Sequence, residues 1–296
     1  MGETVFSEGS LGEELALNMK KLQEIEDQEF KRPSSTRIIA VANQKGGVGK
    51  TTTTVTIAAA MAMKGMRTLV IDADPQGNAS TALGTQRVTE GNSLYEVFTK
   101  KVPLIHAIRP VDSIPKLYLV PSTINLATVD LELAEVKDNR LRLRNAINEC
   151  MLRLEEADTR FDYIFIDCPP SMSLLPINAL AAATEVMIPV QCEYYALEGL
   201  TQLMATIESV KGALNPSLEI STILLTMYHK GTNLSQEVLE NVKDFFPSQT
   251  LDTVIPRSVR IAEAPSYGET VLTYDKRSSG AVAYMAAAGE IASRAH

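Results

Sequence analysis

Asn43-Gln44-Lys45-Gly46-Gly47-Val48-Gly49-Lys50-Thr51-Thr52 is the stretch on which the reading of this chain turns. An apolar run, Ile38-Ile39-Ala40-Val41-Ala42, precedes it, and a helix-like segment over residues 53–63 follows. Strand, glycine-rich loop and helix, in that order, are the setting a phosphate-binding P-loop needs. In the spacing Gly-x-x-x-x-Gly-Lys-Thr the first glycine falls on residue 44, where this chain has Gln. Glycines stand instead at 46, 47 and 49, with Lys45 beside them.

The residue types carry the chemistry. Glycines let the backbone turn tightly and bring several N–H groups against phosphate oxygens. The start of the following helix adds its positive dipole end. Lys50 is placed to reach β- and γ-phosphates, and the Thr51 hydroxyl to ligate Mg²⁺.

At 296 residues and 45% hydrophobic content, the chain has material for a substantial core. No apolar run approaches the roughly 20 residues of a membrane span, and the N-terminus lacks a basic-then-apolar leader pattern. Cys150, Cys168 and Cys192 are unpaired in spacing and suit a reducing, cytoplasmic compartment. With only His106, His229 and His296, no Cys/His metal cluster is expected. The net charge of −8 sits mostly at the N-terminus, where residues 1–30 hold eight acids and two lysines. The rest is near neutral and has room for a basic face, so charge neither supports nor excludes nucleic acid.

Residues 1–36 read as a flexible acidic tail. Leu11, Leu15, Leu22 and Ile25 fall on one helical face, so a short amphipathic helix is an alternative. Its negative charge argues against a membrane role. Pro33-Ser34-Ser35 marks the boundary, and 37–296 is expected to form one domain. Buried strands are expected at 68–74, 117–120, 161–167, 185–190, 219–226 and 251–255. Helices are expected at 93–99, 104–108, 124–157, 173–183, 197–213, 234–246 and 279–293. Alternation of this kind predicts an α/β fold, a mostly parallel sheet with helices on both faces. Ligands in such folds sit at the carboxyl ends of the strands. The P-loop, Asp72, Asp74 and Asp167 all fall at such ends.

Lys45-Gly46-Gly47-Val48-Gly49-Lys50-Thr51-Thr52 resembles the deviant Walker A box of the ParA/MinD ATPases. Asp72-Ala73-Asp74-Pro75-Gln76-Gly77-Asn78 and Asp167-Cys168-Pro169-Pro170-Ser171 match in order. So do the segments 191–200 and 255–265, and together they look like Soj-type chromosome-partitioning proteins. The resemblance runs from about Arg37 to the C-terminus.

It implies a P-loop ATPase with weak intrinsic activity, using ATP and Mg²⁺. Gly46, Gly47, Val48, Gly49, Lys50, Thr51 and Thr52 would bind the nucleotide. Asp167 matches the Walker B position that orients the Mg²⁺ shell, with Asp72 supporting the metal or Thr51. Asp74 matches the catalytic aspartate that positions water. Lys45 would cross a two-fold interface to the partner's phosphates, making an ATP-dependent homodimer. Met227 and Pro256 would line the adenine pocket; read alone, they are also ordinary core and turn residues. Glu193 and Glu198 would belong to the dimer face.

The family also binds DNA nonspecifically through basic surface residues, and a ParB-type partner stimulates hydrolysis. Arg260 and Arg257 fall in the matching segment, although Arg260 also reads as a surface arginine paired with Glu263. Where relatives read Asp-x-Arg-Thr-Asn-Leu, this chain has His229-Lys230-Gly231-Thr232-Asn233-Leu234. The arginine expected at 231 is Gly, which leaves Lys230 as its stand-in. The implied location is cytoplasmic and nucleoid-associated, with no membrane partner. The alternatives are a MinD-like ATPase positioning division and a DNA-binding regulator. The first needs a basic amphipathic C-terminal helix, and residues 281–296 are alanine-rich with one arginine. The second needs a helix-turn-helix ahead of the loop, for which 36 acidic residues leave no room.

Overall fold

The apolar run before the glycine-rich loop forms strand β1, Arg37–Val41, buried throughout. It lies near the middle of a seven-stranded sheet in the order β3-β4-β2-β5-β1-β6-β7. The other strands are β2 (Thr68–Asp72), β3 (Arg109–Pro110), β4 (Leu117–Val120), β5 (Tyr163–Asp167), β6 (Glu185–Gln191) and β7 (Glu219–Thr226). All pairs are parallel except β3 with β4. The computed structural model describes residues 20, 22–25, 27–85, 92–157, 159–171, 173–194 and 196–294.

Because both faces are covered, the central strands read as continuous apolar runs rather than alternating ones. Successive residues of β1 still divide between two cores. Ile38 and Ala40 join one; Ile39 and Val41 join the other. The first core is closed by α3 (Leu94–Thr99), α5 (Arg142–Glu156), α6 (Leu174–Ala182), α7 (Ala196–Ala213) and α8 (Asn233–Phe245). The second is closed by α1 (Lys50–Met63), α2 (Asn78–Ala82), α10 (Val271–Tyr274) and α11 (Ser279–Ser293). Two further short helices are α4 (Val129–Glu132) and α9 (Val259–Glu263). Helix α1 is buried nearly all round, and the small Ala281, Ala287 and Ala288 of α11 let the two helices approach closely.

Four expectations differ from the structure. The long helix expected at 124–157 is broken. A 3-10 turn (Ile124–Thr128) and α4 are separated from α5 by a loop, with Asp138 at φ 60° in the left-handed region. Asn139 Nδ2 donates to Leu133 O across that loop at 2.8 Å and takes the place of helical bonds. The helix expected at 104–108 is a single 3-10 turn, Leu104–His106, which the short edge strand β3 follows.

The strand expected at 251–255 follows β7 without joining it. Leu251 N donates to Ile223 O and Ile255 N to Leu225 O. Between them, Asp252 N and Thr253 N turn to the Glu290 carboxylate of α11, at 2.8 and 3.1 Å, and the ladder is interrupted.

Ordered packing also begins ahead of the boundary expected at residue 36. Phe30 is buried in the second core and Ile25 packs against it. Lys64 Nζ donates to Gln28 O at 2.8 Å, and Arg32 Nε donates to Asp162 Oδ1 at 2.5 Å. Of the amphipathic face expected in the tail, Leu22 and Ile25 are helical, whereas Leu11 and Leu15 lie outside the described residues.

Candidate functional site

The loop between β1 and α1 is shaped by two glycines in the left-handed region, Gly47 at φ 76° and Gly49 at φ 89°. Residues with a Cβ rarely adopt that conformation. A Cβ on Gly46 or Gly47 would meet no atom within 4 Å, so the space over their backbone is open. No side chain caps α1 at Gly49, and the N–H groups of its first turn stay available to an anion. The loop borders a cavity of about 800 Å³.

Lys50 is buried at the cavity floor, where its Nζ donates to Lys45 O at 2.9 Å. Burial pulls its pKa below the ordinary lysine value, opposed by Asp167 and Asp74. An ammonium in that position gains from any anion that enters. The Thr51 hydroxyl donates to Asp167 Oδ2 at 2.7 Å, and that of Thr54 donates to Asp167 Oδ1 at 3.0 Å. Asp167 and Asp72 are fully buried neighbours on paired strands. Burial raises both pKa values, and the charge of each nearby acid adds to the effect.

The structure therefore holds Thr51 with Asp167 rather than with Asp72. Asp72 Oδ2 instead accepts from Ser80 N at 2.8 Å and Ser80 Oγ at 2.6 Å. Asp74 lines the cavity, with Oδ1 accepting from Gln76 N at 2.9 Å.

Asp167 and Asp74 act on Lys50, and Asp72 lies beside Asp167, so three neighbouring carboxylates stand against one lysine and a divalent cation relieves the imbalance. Thr51 Oγ1 and the Asp167 carboxylate are hard oxygen donors of the kind Mg²⁺ takes. Among the described residues, no group of three or more His, Cys, Asp or Glu side chains is arranged to hold a metal. Mg²⁺ keeps waters and phosphate oxygens in its shell and needs few protein ligands.

Lys45 points elsewhere. It does not line the cavity, its side chain is 42% exposed, and its Nζ pairs with Glu193 Oε2. Its peptide is held from both sides, the N–H by Asn43 Oδ1 at 3.0 Å and the carbonyl by Lys50. Gly46, Gly47, Gly49, Lys50, Thr51 and Thr52 line the cavity, whereas the Val48 side chain is buried behind it. Val48 contributes its backbone, and its carbonyl accepts from Thr226 Oγ1 at 2.8 Å.

Met227 and Pro256 both line the cavity wall, Met227 in the left-handed region at φ 52°. A bridge between Tyr228 and Pro256 fixes that wall, with Tyr228 N donating to Ile255 O at 2.9 Å. Arg257 is exposed and also lines the cavity, so it belongs to the rim. Arg260 and Lys230 are exposed on the two segments that leave the Tyr228–Pro256 bridge.

Sequence reasoning passed over Thr226, Ile261, Ala262 and Tyr284 as lining residues. Tyr284 has no local signal at all. It sits in an alanine-rich helix and reaches the cavity because α11 packs on α1, where its hydroxyl meets Thr53 Oγ1 at 3.2 Å. Burial pushes its pKa up to about 12.

Comparison with known proteins agrees with this geometry. The AAA domain family model matches residues 36–220. The chromosome partitioning protein ParA of Caulobacter vibrioides is 46% identical over 258 residues, covering 87% of this chain and 94% of that protein. The sporulation initiation inhibitor protein Soj of Bacillus subtilis is 46% identical over 256 residues, covering 86% and 98%. Among solved structures, cobyrinic acid a,c-diamide synthase from Mycobacterium smegmatis, with bound ATP analog and magnesium, aligns with a TM-score of 0.72 at 35% identity. That alignment covers 86% of this chain and 93% of the synthase. A P-loop with Lys45 at its outer edge, at the strand ends of a parallel sheet, and this likeness over most of the chain place the protein in the ParA/Soj family of chromosome-partitioning ATPases.

Proposed function

We propose that the protein is a DNA-partitioning ATPase whose ATP-bound form is a two-fold sandwich dimer that holds DNA without sequence preference. The observation that carries the dimer is the division of labour between two lysines of one loop. Lys50 is buried under the cavity, while Lys45 sits half-exposed at its edge and outside its lining. A lysine so placed is positioned to serve the phosphates of a facing copy, as an arginine finger does in trans.

Within one subunit, the loop N–H groups and Lys50 bind and orient the phosphates. Thr51 and Asp167 would hold Mg²⁺, which would supply neutralisation of the phosphate charge. Asp74 orients the attacking water and takes up its proton. Met227 and Pro256 enclose the base. A ParB-type partner accelerates hydrolysis, which dissolves the dimer and frees the DNA, and the cycle keeps the protein associated with the nucleoid.

DNA is held by Arg260, Arg257 and Lys230 through phosphates, so binding is salt-dependent and blind to sequence. In an anisotropy titration of random-sequence duplex with a non-hydrolysable ATP analogue, Arg260→Glu is expected to weaken binding sharply while dimerisation survives. Each lost phosphate contact flattens the log-affinity against log-salt slope by about 0.9, or roughly double that in a dimer. If the analogue-bound wild type fails to bind duplex even in low salt, the partition reading gives way to a MinD-like one.

A further inference from the structure

Helix α9 faces two ways. Ile261 and Ala262 line the nucleotide cavity. Arg260 and Glu263, on the same five-residue helix, face solvent at 55% and 42% exposure. Arg260 is engaged there by two carboxylates. Its Nη1 donates to Glu263 Oε2 at 3.3 Å, and its Nε lies 3.4 Å from Asp275 Oδ2. Glu263 Oε2 also accepts from the Tyr274 hydroxyl at 3.4 Å, and Tyr274 stacks on Tyr267 with centroids 5.0 Å apart.

Asp275 is held in place by the cap of α11. Ser278 Oγ donates to Asp275 O at 2.7 Å and accepts from Ala281 N at 3.3 Å. The other side of α9 rests directly on that same helix start. A Cβ on Gly280 would lie 2.6 Å from Ile261 Cγ1, so only glycine leaves room for this contact. The cavity wall, Arg260 and the Asp275 turn are therefore parts of one contact chain, through which a ligand pressing on Ile261 can act on α9. The turn also brings Lys276 and Arg277, both exposed, beside α9.

We infer that Glu263 and Asp275 are internal counter-ions that hold Arg260 away from DNA phosphate until the nucleotide cavity is filled, so that α9 couples the two sites. The inference rests on the reading that Arg260 binds DNA. The strength of the contacts suits a switch. Exposed ion pairs are weak because solvent screens them, so an incoming phosphate competes with them on nearly equal terms. A deeply buried pair would not release its arginine. In the nucleotide-free protein the two acids offset half the charge of Arg257, Arg260, Lys276 and Arg277. Release of Arg260 restores it to the surface that meets DNA.

The test is the double variant Glu263→Gln with Asp275→Asn, titrated with random-sequence duplex in the presence and absence of a non-hydrolysable ATP analogue. A control, Glu155→Gln with Glu156→Gln at the end of α5, makes the same charge change at a distance. Nucleotide-free affinity is expected to rise roughly three- to thirtyfold in the double variant, and the ratio of analogue-bound to free affinity is expected to fall by the same factor. The control keeps the wild-type ratio. An unchanged ratio in the double variant, or an equal fall in the control, overturns the inference while leaving the partition reading intact. Absence of DNA binding by the analogue-bound wild type overturns the partition reading instead.

Discussion

Lys50→Ala is expected to abolish nucleotide binding. The Nζ of Lys50 is buried at the cavity floor and donates to the Lys45 carbonyl. It is therefore ready to exchange that acceptor for phosphate oxygens. A hydrogen bond to a charged group is worth about 1.5–3 kcal/mol, so losing contacts to two phosphates weakens binding by roughly 100-fold or more. Isothermal titration with Mg²⁺-ATP measures it. Binding within a few-fold of wild type would mean that the loop amides alone hold the phosphates. The fold is expected to survive, because alanine is a good residue for the first turn of α1 and the vacated space opens to the cavity.

Asp74→Ala is expected to separate binding from hydrolysis. The Asp74 carboxylate lines the cavity and, among the described residues, accepts from the Gln76 amide alone, which leaves its other lone pairs for water. Removing a positioned general base costs about 10²–10⁴-fold in rate, while the phosphate contacts of the loop and Lys50 remain. A loss in turnover with little change in ATP affinity is the signature of an interaction made in the transition state. The variant is expected to accumulate as an ATP dimer that stays on DNA. Hydrolysis at the wild-type rate would make Asp74 a structural cap of the turn at Gln76.

The fold was legible because its parallel strands are buried on both faces and so appear as short apolar runs, of which β1, β2 and β5 end in Asp or at the glycine-rich loop. The phosphate end of the site was legible for the same reason: β1, β2 and β5 are adjacent in the sheet, and their last residues are adjacent as well. The far wall was not. Tyr284 and Thr226 reach the cavity through packing between elements distant in sequence, which leaves no periodic trace.

The break between α4 and α5 was hidden because helical periodicity runs across it. It is set by a left-handed Asp138 and a side-chain bond from Asn139. The interruption at Asp252 likewise depends on Glu290 of α11, some 38 residues away. The match of Lys45 to its motif carried no information about where its side chain lies. Its pairing with Glu193 follows from the return of β6 beside β1, which puts residue 193 at the rim of the loop.

The sandwich arrangement is tested most directly by static light scattering of Lys45→Ala beside the wild type, each saturated with a non-hydrolysable ATP analogue. The wild type is predicted to double its mass on binding the analogue. Lys45→Ala is predicted to bind the analogue with near wild-type affinity and to keep the mass of a monomer, as the proposed role of its ammonium at the facing site requires. A normal dimer from Lys45→Ala, or a wild type that stays monomeric with the analogue bound, would contradict a nucleotide shared between two subunits.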